Sequence, residues 1–287
     1  AAENHSEHNY VTEKLFDAIL SECLCFYWGC PNLEQLVNPD AFVRLPLEDP
    51  VESQRIIKEA IASDLWSQRI DAIRAEKKRI LNEYQLIPVL ERTVRGLNRF
   101  NALPIRVINL DRRPDRWTTM SEHLARSTDS QTAAKFERVA GVCGLDLDLT
   151  PEIQHLFRNN DFNFRRGIIG CAQTHLALWQ AIADGDAGMM LIAEDDIGLV
   201  NEFRDRFIDA LGQLPDTSEF DLAFLGSHRW DYAPDRTDLV PRNCWRPMVW
   251  EDFLGGTFSY LVTKAGARKL LDIAERDGIQ TAIDWFP

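Results

Sequence analysis

Basic residues are the first deficit: 32 Lys and Arg stand against 45 Asp and Glu, a net charge of -13. That balance excludes broad binding to nucleic acid, which needs a basic face. It leaves room for a nucleotide ligand, because a bound cation offsets acids locally. Long apolar runs are missing, so no stretch reads as a membrane span, and no secretory leader is visible. Cysteine is sparse, at 6 residues. Cys23, Cys25 and Cys30 lack paired C-x-x-C spacing and a downstream His pair, so zinc is not expected there. Cys23, Cys25 and Cys171 sit in apolar surroundings and read as small buried hydrophobes. This usage favours a reducing compartment, the cytoplasm, with membrane association left open. The chain opens Ala1-Ala2-Glu3 without an initiator Met and closes at Trp285-Phe286-Pro287, so both ends read as cut. There is no internal repeat and no low-complexity tract.

What is present is 287 residues with 45% hydrophobic content, enough for one large domain or two smaller ones. The organising stretch is Met189-Met190-Leu191-Ile192-Ala193-Glu194-Asp195-Asp196-Ile197. Its apolar run is too short for a convincing helix and ends in carboxylates, as a buried strand does when it delivers acids to a sheet edge. Adjacent acids repel, and burying one unpaired is costly. A hard divalent cation is the simplest compensation, with positions left open for nucleotide phosphates. Alternation along a strand predicts that Glu194 and Asp196 share one side while Asp195 takes the other. A solvated acidic turn after a core strand is the plain alternative.

Strand-like and helix-like segments alternate elsewhere, which predicts an α/β chain. In the first 100 residues, a helix capped by Thr12 precedes strands at 25–28 and 41–45. Long helices follow at 50–62, 64–84 and 89–99. Asn98–Pro104 reads as the boundary between domains at 1–100 and 104–287. Beyond it, a strand at 105–110 feeds the turn Asp111-Arg112-Arg113-Pro114-Asp115-Arg116, whose arginines at a helix start suit a phosphate. A strand is expected at 136–141, an irregular stretch at 145–165 and a helix at 167–183. Lone His175 within that helix reads as a satisfied core residue. Further strands are expected at 221–226 and 255–262, separated by a long loop at 227–252, with helices at 203–214 and 264–276.

Two ordered sets of motifs carry resemblances. Asn4, then Y-V-T-E-K-L-F-D from Tyr10, then Y-W-G-C-P-N from Tyr27 resemble the C-terminal part of a family 10 α-1,3-fucosyltransferase. This resemblance implies a partial GT-B-type unit in which Tyr10, Glu13 and Lys14 face a GDP-sugar. The acceptor half and the earlier donor strands of that family are absent. The second set is I-N-L-D-R-R-P-D-R-W from Ile108, R-V-A-G from Arg138 and G-C-A-Q-T-H-L-A-L-W from Gly170. It continues with L-I-A-E-D-D-I, F-L-G, G-T-F-S-Y-L-V-T-K and I-D-W-F. From about Pro104 onward the chain is similar to glycosyltransferase family 25, which includes lipooligosaccharide and collagen galactosyltransferases.

That second resemblance implies a GT-A-like, Rossmann-type, mainly parallel sheet. It also implies a UDP-sugar donor and Mn²⁺ (or Mg²⁺) held by Glu194 and Asp196. Asp195 completes the acidic motif, and Asn109, Asp111, Arg112 and Arg116 would lie on the nucleotide side. The implied acceptor is a glycan, lipooligosaccharide or glycoprotein. Inverting transfer calls for a carboxylate base, and Asp284 in the I-D-W segment ranks ahead of Asp252. Three other readings compete: a non-catalytic carbohydrate-binding remnant, a GDP-fucose-dependent enzyme, and a nucleotide-sugar hydrolase using the same acids.

Overall fold

A computed structural model describes residues 1–225, 245 and 256–285. They fall into two compact units, Ala1–Val94 and the remainder from Arg95. Among the described residues, no helix is long and apolar enough to cross a membrane.

The first unit pairs two short parallel strands, β1 (Cys25–Tyr27) and β2 (Phe42–Arg44), with Cys25 opposite Phe42. Helices α1 (Glu13–Leu20), α2 (Pro50–Ala62) and α3 (Leu65–Arg79) surround them, and a π-helical stretch, Ile80–Tyr84, follows. Leu15, Ile19, Tyr27, Leu33, Phe42 and Ile73 form the core. Asp49 caps α2 by accepting from the Val51 and Glu52 amides, with Pro50 in the first turn where its missing N–H costs nothing. Thr12 does not cap α1 as expected. Its hydroxyl donates to Glu3 at 2.6 Å and makes no bond to a first-turn amide.

Helix α4 runs from Leu86 to Ala102, so the expected linker at 98–104 is largely helical. Nothing between Asn98 and Ala102 breaks a helix; Pro104 is the first residue that does, and it also disfavours helix at Leu103.

The second unit is built on a five-stranded sheet in the order β4-β3-β5-β7-β6. These are β3 (Ile105–Asn109), β4 (Phe136–Ala140), β5 (Met189–Glu194), β6 (Leu222–Phe224) and β7 (Ser259–Thr263). β4, β3 and β5 pair in parallel, whereas β7 is antiparallel to both β5 and β6. The sheet is therefore mainly parallel, as expected, with one reversed strand. Every residue of β5 before Glu194 is buried, which is why the segment is uniformly apolar.

Met190 and Ile192 enter a core with Trp179, Tyr260 and Leu270. Met189 and Leu191 enter another with Val107, Phe207 and Leu211. The first face is covered by α8 (Arg166–Asp184) and α10 (Lys264–Asp277). The second is covered by α5 (Pro114–Ser127), α9 (Phe203–Gln213) and the end of α4. A four-residue helix, α6 (Ser130–Ala133), lies between α5 and β4. The stretch at 145–165 is more ordered than expected, since α7 (Pro151–Leu156) forms there under a Thr150 cap. The strand expected from residue 255 is assigned only from Ser259.

Candidate active site

Strand register assembles the acids at one sheet edge. Ile108 pairs with Glu194, so Asn109 at the end of β3 lies beside Asp195 just past β5. β3, β4 and β5 all end on this edge. β7 begins there, because Ser259 pairs with Ala193 and the Glu194 amide donates to the Phe258 carbonyl at 2.9 Å. Ligands of α/β sheets gather at such carboxyl ends.

The expected alternation of the three acids does not hold. β5 stops at Glu194, and Asp195 and Asp196 form a turn, so the two-residue period ends with the strand. Asp195 and Asp196 both face Arg116, whose Nη1 donates to them at 3.0 and 3.3 Å. Asp195 also accepts from Asn109 Nδ2 at 2.6 Å. Asn109 is itself held by Arg138, whose Nε donates to Asn109 Oδ1 at 2.7 Å, and Arg138 forms an ion pair with Asp111 at 2.5 Å. Arg113 pairs with Asp115 instead of joining this group, and Arg112 is exposed.

Glu194 takes different company. Thr257 Oγ1 lies 3.0 Å from its carboxylate and 2.7 Å from Asp284 Oδ1. A hydroxyl has one hydrogen. The Thr257 hydroxyl is within donating reach of both carboxylates and serves one of them at a time. Burial pushes the Glu194 carboxyl up, and Asp196, Asp284 and Asp195 push the same way against the Thr257 bond. Beneath it on α8 lie Cys171 and His175. Burial raises the Cys171 thiol to about 12, and Glu194 and Asp284 add to the effect. Burial lowers His175 to about 4, so the imidazole is neutral at physiological pH. Its Nδ1 lies 2.7 Å from the Tyr260 hydroxyl, and Nε2 has no partner among the described residues. His175 is thus a core residue satisfied on only one side. Cys171 is partly buried and Cys23 is exposed, so of the three cysteines read as buried only Cys25 is so.

Of the expected site residues, Asn109, Asp111, Arg116, Asp195 and Asp196 form one connected group. Glu194 and Asp284 meet through Thr257. Asp252 lies outside the described residues. In the first unit Tyr10 precedes α1 and is half-buried beside the His5 ring, while in the first turn Glu13 is exposed and Lys14 pairs with Glu3 at 3.5 Å. Arg138 and Thr257 were not expected at the site. Both stand within quoted motifs, but neither stands out in sequence. Arg138 lies at mid-strand, and Thr257 carries no charge.

A sheet that collects carboxylates and arginines at the carboxyl ends of its strands places them where α/β folds gather polar ligands. The sequence profile of glycosyltransferase family 25 (LPS biosynthesis protein) matches residues 102–286. The chain belongs to that family. A protein of Acanthamoeba polyphaga mimivirus named as a glycosyltransferase is 26% identical over 174 residues, 59% of this chain and 52% of the relative. Procollagen galactosyltransferase 1-B of Xenopus laevis is 31% identical over 122 residues, 42% of this chain and 19% of the relative. A human relative, inactive glycosyltransferase 25 family member 3, is 27% identical over 172 residues, 58% of this chain and 28% of the relative. The matched stretch thus spans about half or less of these relatives, and the family match begins after the first unit.

Proposed function

We propose that the family 25 region is a working hexosyltransferase. It moves a sugar, galactose first among the candidates, from a UDP-sugar to a hydroxyl of a glycan, lipooligosaccharide or glycoprotein. The observation that carries this reading is the gathering of Glu194, Asp195, Asp196 and Asp284 at one sheet edge with Arg116 beside them. One human relative is named inactive, so family membership alone does not decide turnover; the acidic set gathered at the sheet edge argues for it.

The donor set fits a hard dication such as Mn²⁺ or Mg²⁺. Its members are carboxylates, and the charge of three neighbouring acids helps to hold Glu194 toward its protonated form, a proton that a cation would replace. Glu194 and Asp196 would hold the ion, which supplies neutralisation of the charge developing on the departing diphosphate. Asn109 fixes Asp195 on the nucleotide side, and Arg138 fixes Asn109 while pairing with Asp111. Arg116 and exposed Arg112 offer positive charge to the donor phosphates. Asp284, oriented by the Thr257 hydroxyl, takes the proton of the acceptor hydroxyl as it attacks the sugar carbon with inversion. Asp252 is the second candidate for that role. The favoured setting is the cytoplasm, with membrane association left open.

For the first unit, the order of residues around α1 supports a partial GT-B-type donor-binding piece, with Tyr10, Glu13 and Lys14 toward a GDP-sugar.

The test is turnover of UDP-sugars, with and without acceptor, against Mn²⁺ concentration. Asp196→Asn is expected to lower transfer by about 100-fold or more while the fold persists. Equal turnover and equal metal dependence in both proteins would remove the metal role. Donor hydrolysis indifferent to acceptor would indicate a hydrolase, and sugar binding without turnover a carbohydrate-binding remnant.

A further inference from the structure

Cys171 and His175 stand one helical turn apart on α8 and project from one face. The end of β5 brings Glu194 against that face. The Cys171 Sγ, a His175 ring nitrogen and a Glu194 carboxylate oxygen all lie within 4.8 Å of one another. His175 is fully buried, and among the described residues its Nε2 is the buried side-chain polar atom left without a partner. A core histidine normally has both nitrogens satisfied. Here one ring nitrogen lies within 4.8 Å of a thiol and a carboxyl, and Nε2 makes no hydrogen bond, which leaves room for an atom between the three side chains.

We propose that Cys171 Sγ, His175 Nε2 and a Glu194 oxygen form a site for a borderline-soft divalent ion of the zinc class. The site shares Glu194 with the carboxylates proposed for the transfer reaction, and its sulfur and imidazole ligands set its chemistry apart from that set. Sulfur, imidazole and carboxylate are the ligand types such an ion takes, and three protein ligands leave a position open. A thiolate and a carboxylate neutralise its charge, and the Cys171 proton leaves to solvent on binding. The outer shell is already built. With the Nδ1 proton donated to the Tyr260 oxygen, which also accepts from Trp179 Nε1 at 2.9 Å, the ring is fixed with its Nε2 lone pair free. Glu194 accepts from Thr257 through Oε1, which leaves its other oxygen for the ion. The ion would tie α8 to the end of β5, directly behind the acidic edge.

Cobalt(II) is the probe, because thiolate ligation gives a charge-transfer absorption that carboxylate ligation does not. The full chain, freed of metal by a chelator and kept reduced, is titrated with Co²⁺ and then Zn²⁺. One equivalent should raise the thiolate band, and Zn²⁺ should abolish it. Cys171→Ser should remove the band with an unchanged circular dichroism spectrum, whereas a Cys23→Ser/Cys143→Ser variant should keep it. Asp196→Asn should also keep it while losing Mn²⁺-dependent transfer, so the two metal readings stand or fall separately. Absence of the band in the wild-type chain, or a band that survives Cys171→Ser, would overturn the proposal.

Discussion

Each unit draws a glutamate away from solvent, Glu3 buried in the first and Glu194 half-buried in the second, and the two meet opposite surroundings. Glu3 in the first unit is 4% exposed and surrounded by donors: the Thr12 amide and hydroxyl, the Tyr27 hydroxyl and Lys14. Burial pushes its carboxyl up, yet the Thr12 bonds and then those from Tyr27 and Lys14 outweigh it and hold the group below its ordinary value. Gly29 packs against this carboxylate with φ +147, where any Cβ would collide with the Glu3 side chain. Glu194 has one hydroxyl partner and three acidic neighbours, and its carboxyl is pushed up. A buried acid ringed by donors holds a fold together. One ringed by acids waits for something positive or for a proton, and that marks it as a candidate for chemistry.

The largest expected effect tests the second half of that contrast. Asp284→Asn keeps the shape of the side chain but cannot take a proton. Transfer should fall by about 100-fold to 10,000-fold, the usual worth of a general base, with donor binding measured by calorimetry left in place. If Asp284→Asn transfers sugar at the wild-type rate, Asp284 is only a structural partner of Thr257.

A smaller effect separates the two glutamates by stability. Glu3→Gln turns an amide toward donors and should cost about 1–3 kcal/mol in denaturant unfolding of the first unit. Glu194→Gln in chelator should cost nothing or stabilise, because it relieves like-charge repulsion. Acid titration should show opposite signs. Glu3 is held low, so its stabilisation is present above the unfolded value of about 4.3 and is lost as pH falls through the lower folded value. Glu194 is held high, so its contribution is complete below the unfolded value and is lost as pH rises through the folded one. Parallel pH profiles for the two variants would break the comparison.

The acidic edge was legible in sequence where the signals are local, and the part played by Glu3 was not. β5 announced itself because burial on both faces leaves a run with no polar residue before Glu194. Asn109 and Arg116 could be placed because a strand followed at once by a proline-started helix is a short-range signal. What escaped depended on distant partners. The split of the acidic trio follows from where β5 ends and from Arg116 and Thr257, neither of which is near it in sequence. His175 was rightly assigned to the core, but its single-sided satisfaction depends on Tyr260, 85 positions away. Likewise the close approach of α4 to α9, where a side chain at Gly96 would collide with Ile208 and Gly212, depends on residues far away in sequence.

The smallest expected effect concerns Lys14, where the family 10 resemblance and the local geometry assign different work to one ammonium. In the structure Lys14 is about a third exposed, and its contacts with Glu3 and the Thr12 hydroxyl are long, at 3.5 and 3.4 Å. Among the bonds that hold Glu3 ionised, its contribution is smaller than those of Thr12 and Tyr27. A partly screened pair of this kind is worth no more than about 1 kcal/mol. Lys14→Gln should therefore lower first-unit stability by less than Glu3→Gln does, and leave Mn²⁺-dependent turnover of UDP-sugars unchanged. Thermal stabilisation of the full chain by GDP supplies the other arm. If Lys14 faces a diphosphate, the wild-type shift with GDP should shrink in Lys14→Gln, even though residues 1–100 alone should give no transfer from GDP-fucose. A GDP shift of the same size in both proteins would leave Lys14 with Glu3 as its only task. The first unit would then be a scaffold in which the buried Glu3 is held by the unit's own donors.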